Sequence, residues 1–181
     1  MNSPAKPLVL PTLRTERLLL TPLNMTHSAG MFELWSAEPV ARYSGPVSDA
    51  NGERLVIPAL DASTSDRIID FWLKAAQAGW GGRWALIEVV TGRFVGIVGF
   101  NGLGARAEVA YHLVPAAWGR GLMTEAALAA LEWARLQGCA EVEAFIDPQN
   151  EASIRLAQRL GMAPTGMFSD GAQQYIVKCS P

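Results

Sequence analysis

The chain has only two cysteines and two histidines among its 181 residues. Cys139 and Cys179 lie far apart and neither has a CxxC partner, which excludes a disulfide framework and leaves zinc without a ligand set. Both read as buried free thiols. His27 and His112 come without a GxSxG or HExxH motif, so a Ser-His-Asp hydrolase or a histidine-rich metal centre has nothing to be built around; no metal is expected. Charge is scarce as well: charged residues make up 18%, the formal net charge is −2, and no run of five like charges occurs. Intrinsic disorder and non-specific nucleic-acid binding both lose their basis. No stretch approaches the roughly 18 apolar residues of a membrane span, and the proline-bearing residues 1–11 lack a charged segment followed by an apolar run. Those residues read as an extended tail on a soluble, cytoplasmic protein with no membrane partner.

What is present is apolar content, at 50%, enough for one substantial core and too little chain for two ordinary domains. A single domain over residues 1–181 is expected. Residues 13–23 suit a first strand closed by Pro22, and residues from Asn24 or Thr26 onward suit a short helix ending before Pro39. Residues 43–65 are irregular, with Gly45, Pro46, Asn51-Gly52 and Pro58, and a connection of that length in a compact domain is more often functional than idle. Asp66 is placed as the cap of a second helix carrying Ile69, Trp72, Leu73 and Ala76. The period then changes. Residues 83–90, 93–100 and 107–114 read as three strands with short connections, hence antiparallel neighbours. Residues 121–137 form an alanine- and leucine-rich helix with Leu128, Leu131 and Ala134 assigned to its inner face; residues 141–146 form a strand and 150–160 a helix; two strands around Ser169-Asp170-Gly171 close the chain. The order implies an α+β fold with about seven strands and about four helices.

The chemistry-bearing segment is residues 108–124: a strand, the turn Trp118-Gly119-Arg120-Gly121, and the start of a helix. Gly119 and Gly121 permit backbone conformations that aim several N–H groups at one point, and a helix N-terminus adds favourable potential for an anion there. Arg120 adds a full charge and the Thr124 hydroxyl a donor, so a pyrophosphate is a natural occupant. Read as a degenerate GxGxxG, with Glu141 and Glu143 downstream, the same turn suggests a dinucleotide-binding oxidoreductase; the strands before Gly119, however, look antiparallel and the third glycine is missing.

Residues 115–126 resemble the acetyl-CoA-binding motif of GNAT acetyltransferases, Q/R-x-x-G-x-G/A, with Trp118, Gly121 and Met123 on its three defined positions. Trp118 stands where the pattern has Gln or Arg, and Met123 where it has Gly or Ala. Asn150 and Ser153 followed by Leu160-Gly161-Met162 are similar to the N-x-x-S and L-G-F of the RimJ/RimL-like branch, and residues 13–20 to its first strand. The resemblance covers most of the chain, with residues 43–65 as an unmatched insert or acceptor-side loop. It implies a mixed, largely antiparallel sheet whose central strands splay to hold acetyl-CoA as co-substrate. The backbone of Leu113 and Val114 would bond the pantetheine arm. Trp118, Gly119, Arg120, Gly121, Leu122, Met123 and Thr124 would hold the pyrophosphate, and Asn150 would lie beside the cofactor. Strand alternation puts Glu108, Ala110 and His112 on one face, and the family often has a carboxylate base at the position of Glu108. The family's usual tyrosine on the helix of residues 150–160 falls on Ala157, so Ser153 becomes the candidate that protonates the leaving thiolate. The acceptor is an amine, on a small molecule or a protein N-terminus, and a homodimer is within the family's habit. A GNAT-like module that binds acetyl-CoA without turning it over is the remaining reading.

Overall fold

In the computed structural model, which describes residues 6–179, one eight-stranded sheet runs in the order β1-β2-β3-β4-β5-β6-β8-β7. The first strand foreseen over residues 13–23 is broken in two, β1 (Leu13–Arg14) and β2 (Leu18–Pro22), because the Thr15 hydroxyl exchanges hydrogen bonds with Leu18 and folds the chain back on itself. Leu18 and Leu20 of β2 point inward and are fully buried, each worth about 1.5–3 kcal/mol of burial. Three short helices follow: a 3-10 turn (Met25–His27) capped by Asn24, then α1 (Ser28–Trp35) and α2 (Glu38–Ala41). Pro39 thus does not merely follow a helix but sits in the first turn of α2, where its missing N–H has no intrahelical partner to lose.

Helix α3 (Ala62–Gln77) begins earlier than the sequence suggested. Its cap is Asp61, whose carboxylate accepts from Thr64 N–H at 2.9 Å, and Asp66 lies inside the helix. The central meander β3 (Gly82–Glu88), β4 (Phe94–Asn101) and β5 (Arg106–Leu113) is antiparallel as read from sequence. Helix α4 (Leu122–Leu136) then leads to β6 (Glu141–Ile146), α5 (Glu151–Arg159), β7 (Ala163–Ser169) and β8 (Ala172–Lys178). The alanines of α4 are its buried face: Ala126, Ala127, Ala130 and Ala134 are fully enclosed, while Leu128, assigned to that face from sequence, is 49% exposed. Small side chains let the helix axis come close to the sheet, and Trp133 fills the space beyond them, edge-on to Trp84 at 5.1 Å.

Residues 1–5 of the expected tail lie outside the described residues; the rest of it is docked. Leu10 is buried, Leu8 N–H bonds Ala76, and the Trp84 indole donates to the Pro11 carbonyl at 2.7 Å. The two cysteines, distant in sequence, approach each other where Cys179 N–H bonds Ala140, and burial raises the Cys179 thiol pKa, with Cys139 adding to it. Among the described residues no helix is long and apolar enough to cross a membrane.

Candidate functional site

Among the described residues, strands β5 and β6 are the only parallel neighbours in the sheet, and they pair only at their beginnings, through Arg106, Ala107 and Glu108 against Glu141, Val142 and Glu143. Past Glu108 they diverge. The divergence opens a cleft of about 1310 Å³ that passes between the two strands and ends at the Gly119–Gly121 turn. Val114 N–H bonds Val95 across on β4, so strand alternation turns the backbone groups of Val109, Tyr111 and Leu113 toward the gap. The backbone of Val114 was expected to bond the pantetheine arm; its N–H is instead spent on Val95, and its carbonyl accepts from Ala117 N–H. The Leu113 carbonyl accepts from the Trp118 indole at 2.9 Å, which fixes the half-exposed Trp118 against the end of the strand.

Gly119 and Gly121 adopt φ of +71° and +74°, the left-handed region that carries a cost for any residue with a Cβ. The first backbone bond of α4 outside the turn is Glu125 N–H to the Gly121 carbonyl, and Gly121 gives the helix no side-chain cap. Among the described residues nothing accepts from the N–H groups of residues 119 to 124, so this cluster of donors is available to an anion at the cleft's end. The Thr124 hydroxyl stands with them on the cleft wall. Leu122 and Met123 turn inward and are buried, so the bulk of Met123 is in the core rather than over the turn.

Arg120 does not supply the charge expected of it. Its guanidinium is ion-paired with Glu88 and is absent from the cleft wall, while its carbonyl accepts from Arg17 at 2.8 Å. Arg17 and Thr15 in turn bind the Glu125 carboxylate, through Thr15 Oγ1, Arg17 N and Arg17 Nε at 2.6, 2.7 and 2.7 Å. The N-terminal segment therefore clamps the glycine turn and the first turn of α4, a role that the pattern Thr15-Glu16-Arg17 did not announce.

On the α1–α3 face of the sheet, Glu108 accepts from Asn101 Nδ2 at 2.9 Å, and burial raises its carboxyl pKa above the ordinary value. Asn101 Oδ1 accepts from the Arg83 guanidinium, whose stem crosses Gly99 and whose Cζ lies 3.5 Å from the Trp72 ring centroid. His112, on the same face, contacts Trp35 at a ring separation of 4.7 Å and Ser44 Oγ through Nε2 at 3.2 Å. Ser44 Oγ also lies 2.9 Å from the Val40 carbonyl, which can only accept, so the serine proton goes there and Nε2–H donates to Ser44. His112 is thus neutral with its Nδ1 bare, and burial, then the nearby Arg83, pushes its pKa down to about 4.

Ser153 sits in the first turn of α5 on the cleft wall, its N–H held by the Asn150 side chain at 3.1 Å. Asn150 is therefore both the helix cap and a wall residue. Burial raises the pKa of the Tyr111 phenol, and the nearby Ser153 side chain pulls the other way. Tyr111 was not singled out from sequence; its place on β5, one residue from His112 and on the opposite face, was the available signal. Residues 43–65 divide: the stretch from Tyr43 to Ser48 lines the cleft, with the Tyr43 hydroxyl reaching the Gln149 carbonyl at 3.3 Å, while Asp49, Glu53 and Arg67 form an ion-paired knot away from it.

A splayed parallel pair beside an uncapped glycine turn defines an acyltransferase-type fold and site, and the antiparallel meander before the turn removes the dinucleotide-binding reading. Residues 17–163 match the family described as acetyltransferase (GNAT) domain, and the chain belongs to it. A curated Bacillus licheniformis protein, the uncharacterized N-acetyltransferase p20, is 26% identical over 163 residues, covering 88% of this chain and 86% of its own length. The crystal structure of an acetyltransferase from Agrobacterium tumefaciens superposes with a TM-score of 0.72 at 26% identity, over 93% of this chain and 95% of the other. The ribosomal alpha-N-protein acetyltransferase RimL, solved in complex with coenzyme A, shares the fold with a TM-score of 0.73 at 16% identity, over 91% of this chain and 95% of its own.

Proposed function

We propose that the protein transfers the acetyl group of acetyl-CoA to a primary amine in a ternary complex, in the manner of the RimJ/RimL-like branch. The observation that carries this reading is the continuous cleft from the open β5–β6 edge to the unsatisfied N–H groups of residues 119 to 124. The donor supplies an activated thioester. The glycine turn and Thr124 hold its pyrophosphate, the backbone of Tyr111 and the N–H of Leu113 pair with its pantetheine arm as a further strand would, and Asn150 flanks the arm. RimL with coenzyme A provides a precedent on the same fold.

Glu108 takes the proton of the attacking amine, directly or through one water, and its raised pKa makes it a better base than an exposed glutamate. The amine nitrogen then bonds the acetyl carbon, the carbon–sulfur bond breaks, and the thiolate collects a proton from Ser153. The Tyr111 phenol, on the same cleft wall beside Ser153, replaces that proton from behind. This pair stands in for the tyrosine absent at Ala157. A cytoplasmic location fits the use of acetyl-CoA as donor.

Acetyl-CoA at about 100 times its dissociation constant should add roughly 2.7 kcal/mol to the stability of the folded chain, read as a raised Tm, and NAD should add nothing. Stabilisation by NAD alone would overturn the assignment.

A further inference from the structure

Arg83 is 5% exposed, lines the cleft, and spends its hydrogen bonds on two neutral acceptors, the Gly82 carbonyl at 3.0 Å and Asn101 Oδ1. A buried guanidinium without a carboxylate against it is costly to retain. The fold nevertheless makes room for it: a Cβ at Gly99 would lie 3.0 Å from Arg83 Cδ and 2.1 Å from the Gly82 carbonyl, so only glycine lets the stem cross the sheet there. Trp72 covers one face of the guanidinium at 3.5 Å. The compensating charge is Glu108, held on the other side of the Asn101 amide, whose Nδ2 donates to it at 2.9 Å. Asn101 therefore keeps a cation and an anion one amide's length apart along one wall of the cleft. With His112 neutral, they are the charged groups that strands β3, β4 and β5 bring to the cleft, and Arg42 lines it from the segment after α2. Next to them stands an aromatic cluster, Phe71, Trp72 and Trp80, with ring separations of 4.8, 5.7 and 5.9 Å, and Trp80 leaves 42% of its surface uncovered.

Resting on the acetyltransferase reading, we propose that the acceptor is a zwitterionic α-amino acid with an aromatic or large apolar side chain, its carboxylate bound by Arg83, its amino group facing Glu108, and its side chain against Trp72 and Trp80. A guanidinium fork matches a carboxylate better than any other common anion, and the adjacent carboxylate matches the ammonium from which the proton must leave. A polyamine would bring a second cation toward Arg83, and a peptide N-terminus carries an amide where the free acid carries its charge. Both are disfavoured by the same pair of groups.

The test compares matched acceptors on the full chain with acetyl-CoA as donor: L-phenylalanine and L-tryptophan, their decarboxylated amines phenethylamine and tryptamine, phenylalaninamide, spermidine and a short peptide. The wild type should use the free acids over the matched amines and the amide by about 10²-fold or more in kcat/KM, since a site built to bond a group rejects the analogue lacking it. Arg83→Gln should bring that ratio near one by losing rate on the acids alone, and Arg83→Lys should fall between. Because the preference is read first on the wild type, a poorly folded variant does not remove the test. Equal use of acids and amines, transfer only to spermidine or the peptide, or an equal loss on every acceptor in Arg83→Gln would overturn the proposal while leaving the acetyltransferase intact. Absence of both transfer and stabilisation by acetyl-CoA would overturn the two together.

Discussion

Lowering the pH from 7 to 5 protonates His112 in the unfolded chain and leaves it neutral in the folded one. Its folded pKa is about 4 against an ordinary 6.5, with burial the larger cause and Arg83 the smaller. The folded value lies below the unfolded one for a base, so the unfolded state binds the extra proton. Stability from this group is intact above about pH 6.5 and is lost as the pH falls toward 4. Between pH 7 and 5 those two values give a loss of about 2 kcal/mol, which for a domain of this size is roughly 4–8 °C in Tm. The clean perturbation is His112→Gln, whose amide can still donate to Ser44 and cannot be protonated. Carboxylates titrating over the same range affect both proteins alike, so the difference between their melting curves isolates His112. The expected result is a variant whose stability falls by about 2 kcal/mol less than the wild type's from pH 7 to 5. Parallel curves would refute the reasoning, because they would mean that the imidazole is charged or solvated in the folded state, contrary to its hydrogen bond with Ser44 and its contact with Trp35.

Gly121→Val forces a branched side chain into a φ of +74° with only Arg17 within 4 Å, so the fold should survive while stabilisation by acetyl-CoA disappears in a thermal-shift titration; an unchanged shift would make the turn purely structural. Glu108→Gln should keep acetyl-CoA affinity and lower turnover by about 10² to 10⁴, with the deficit shrinking as the pH rises and more of the amine is neutral; equal turnover from pH 6 to 10 would remove Glu108 from the mechanism. The acid limb of the wild-type profile should lie above the ordinary carboxylate value, because burial raises the Glu108 pKa, and should vanish in the variant.

The sequence by itself determined the order of elements, the antiparallel meander, the glycine turn and the helix behind it, because hydrophobic period, caps and turn residues are local properties that a neighbour a few positions away can reveal. It also carried the family, through residues 115–126 and the motif at Asn150. The tertiary structure alone decided which of those residues share a cleft and which way each points. Val114 and Arg120 sit in the right segment, yet one spends its N–H on β4 and the other its charge on Glu88, and both partners lie many residues away in the chain. The inward face of α4 was misjudged for a related reason: alanine signals little by itself, and only the nearness of the sheet makes it the buried side, with Leu128 left outside. Arg83, Asn101 and Glu108 come from three different strands, and the space that lets the first reach the second is a missing Cβ at Gly99. Such a group has no spacing in sequence to read, since strand register and close backbone approach, not local pattern, bring it together.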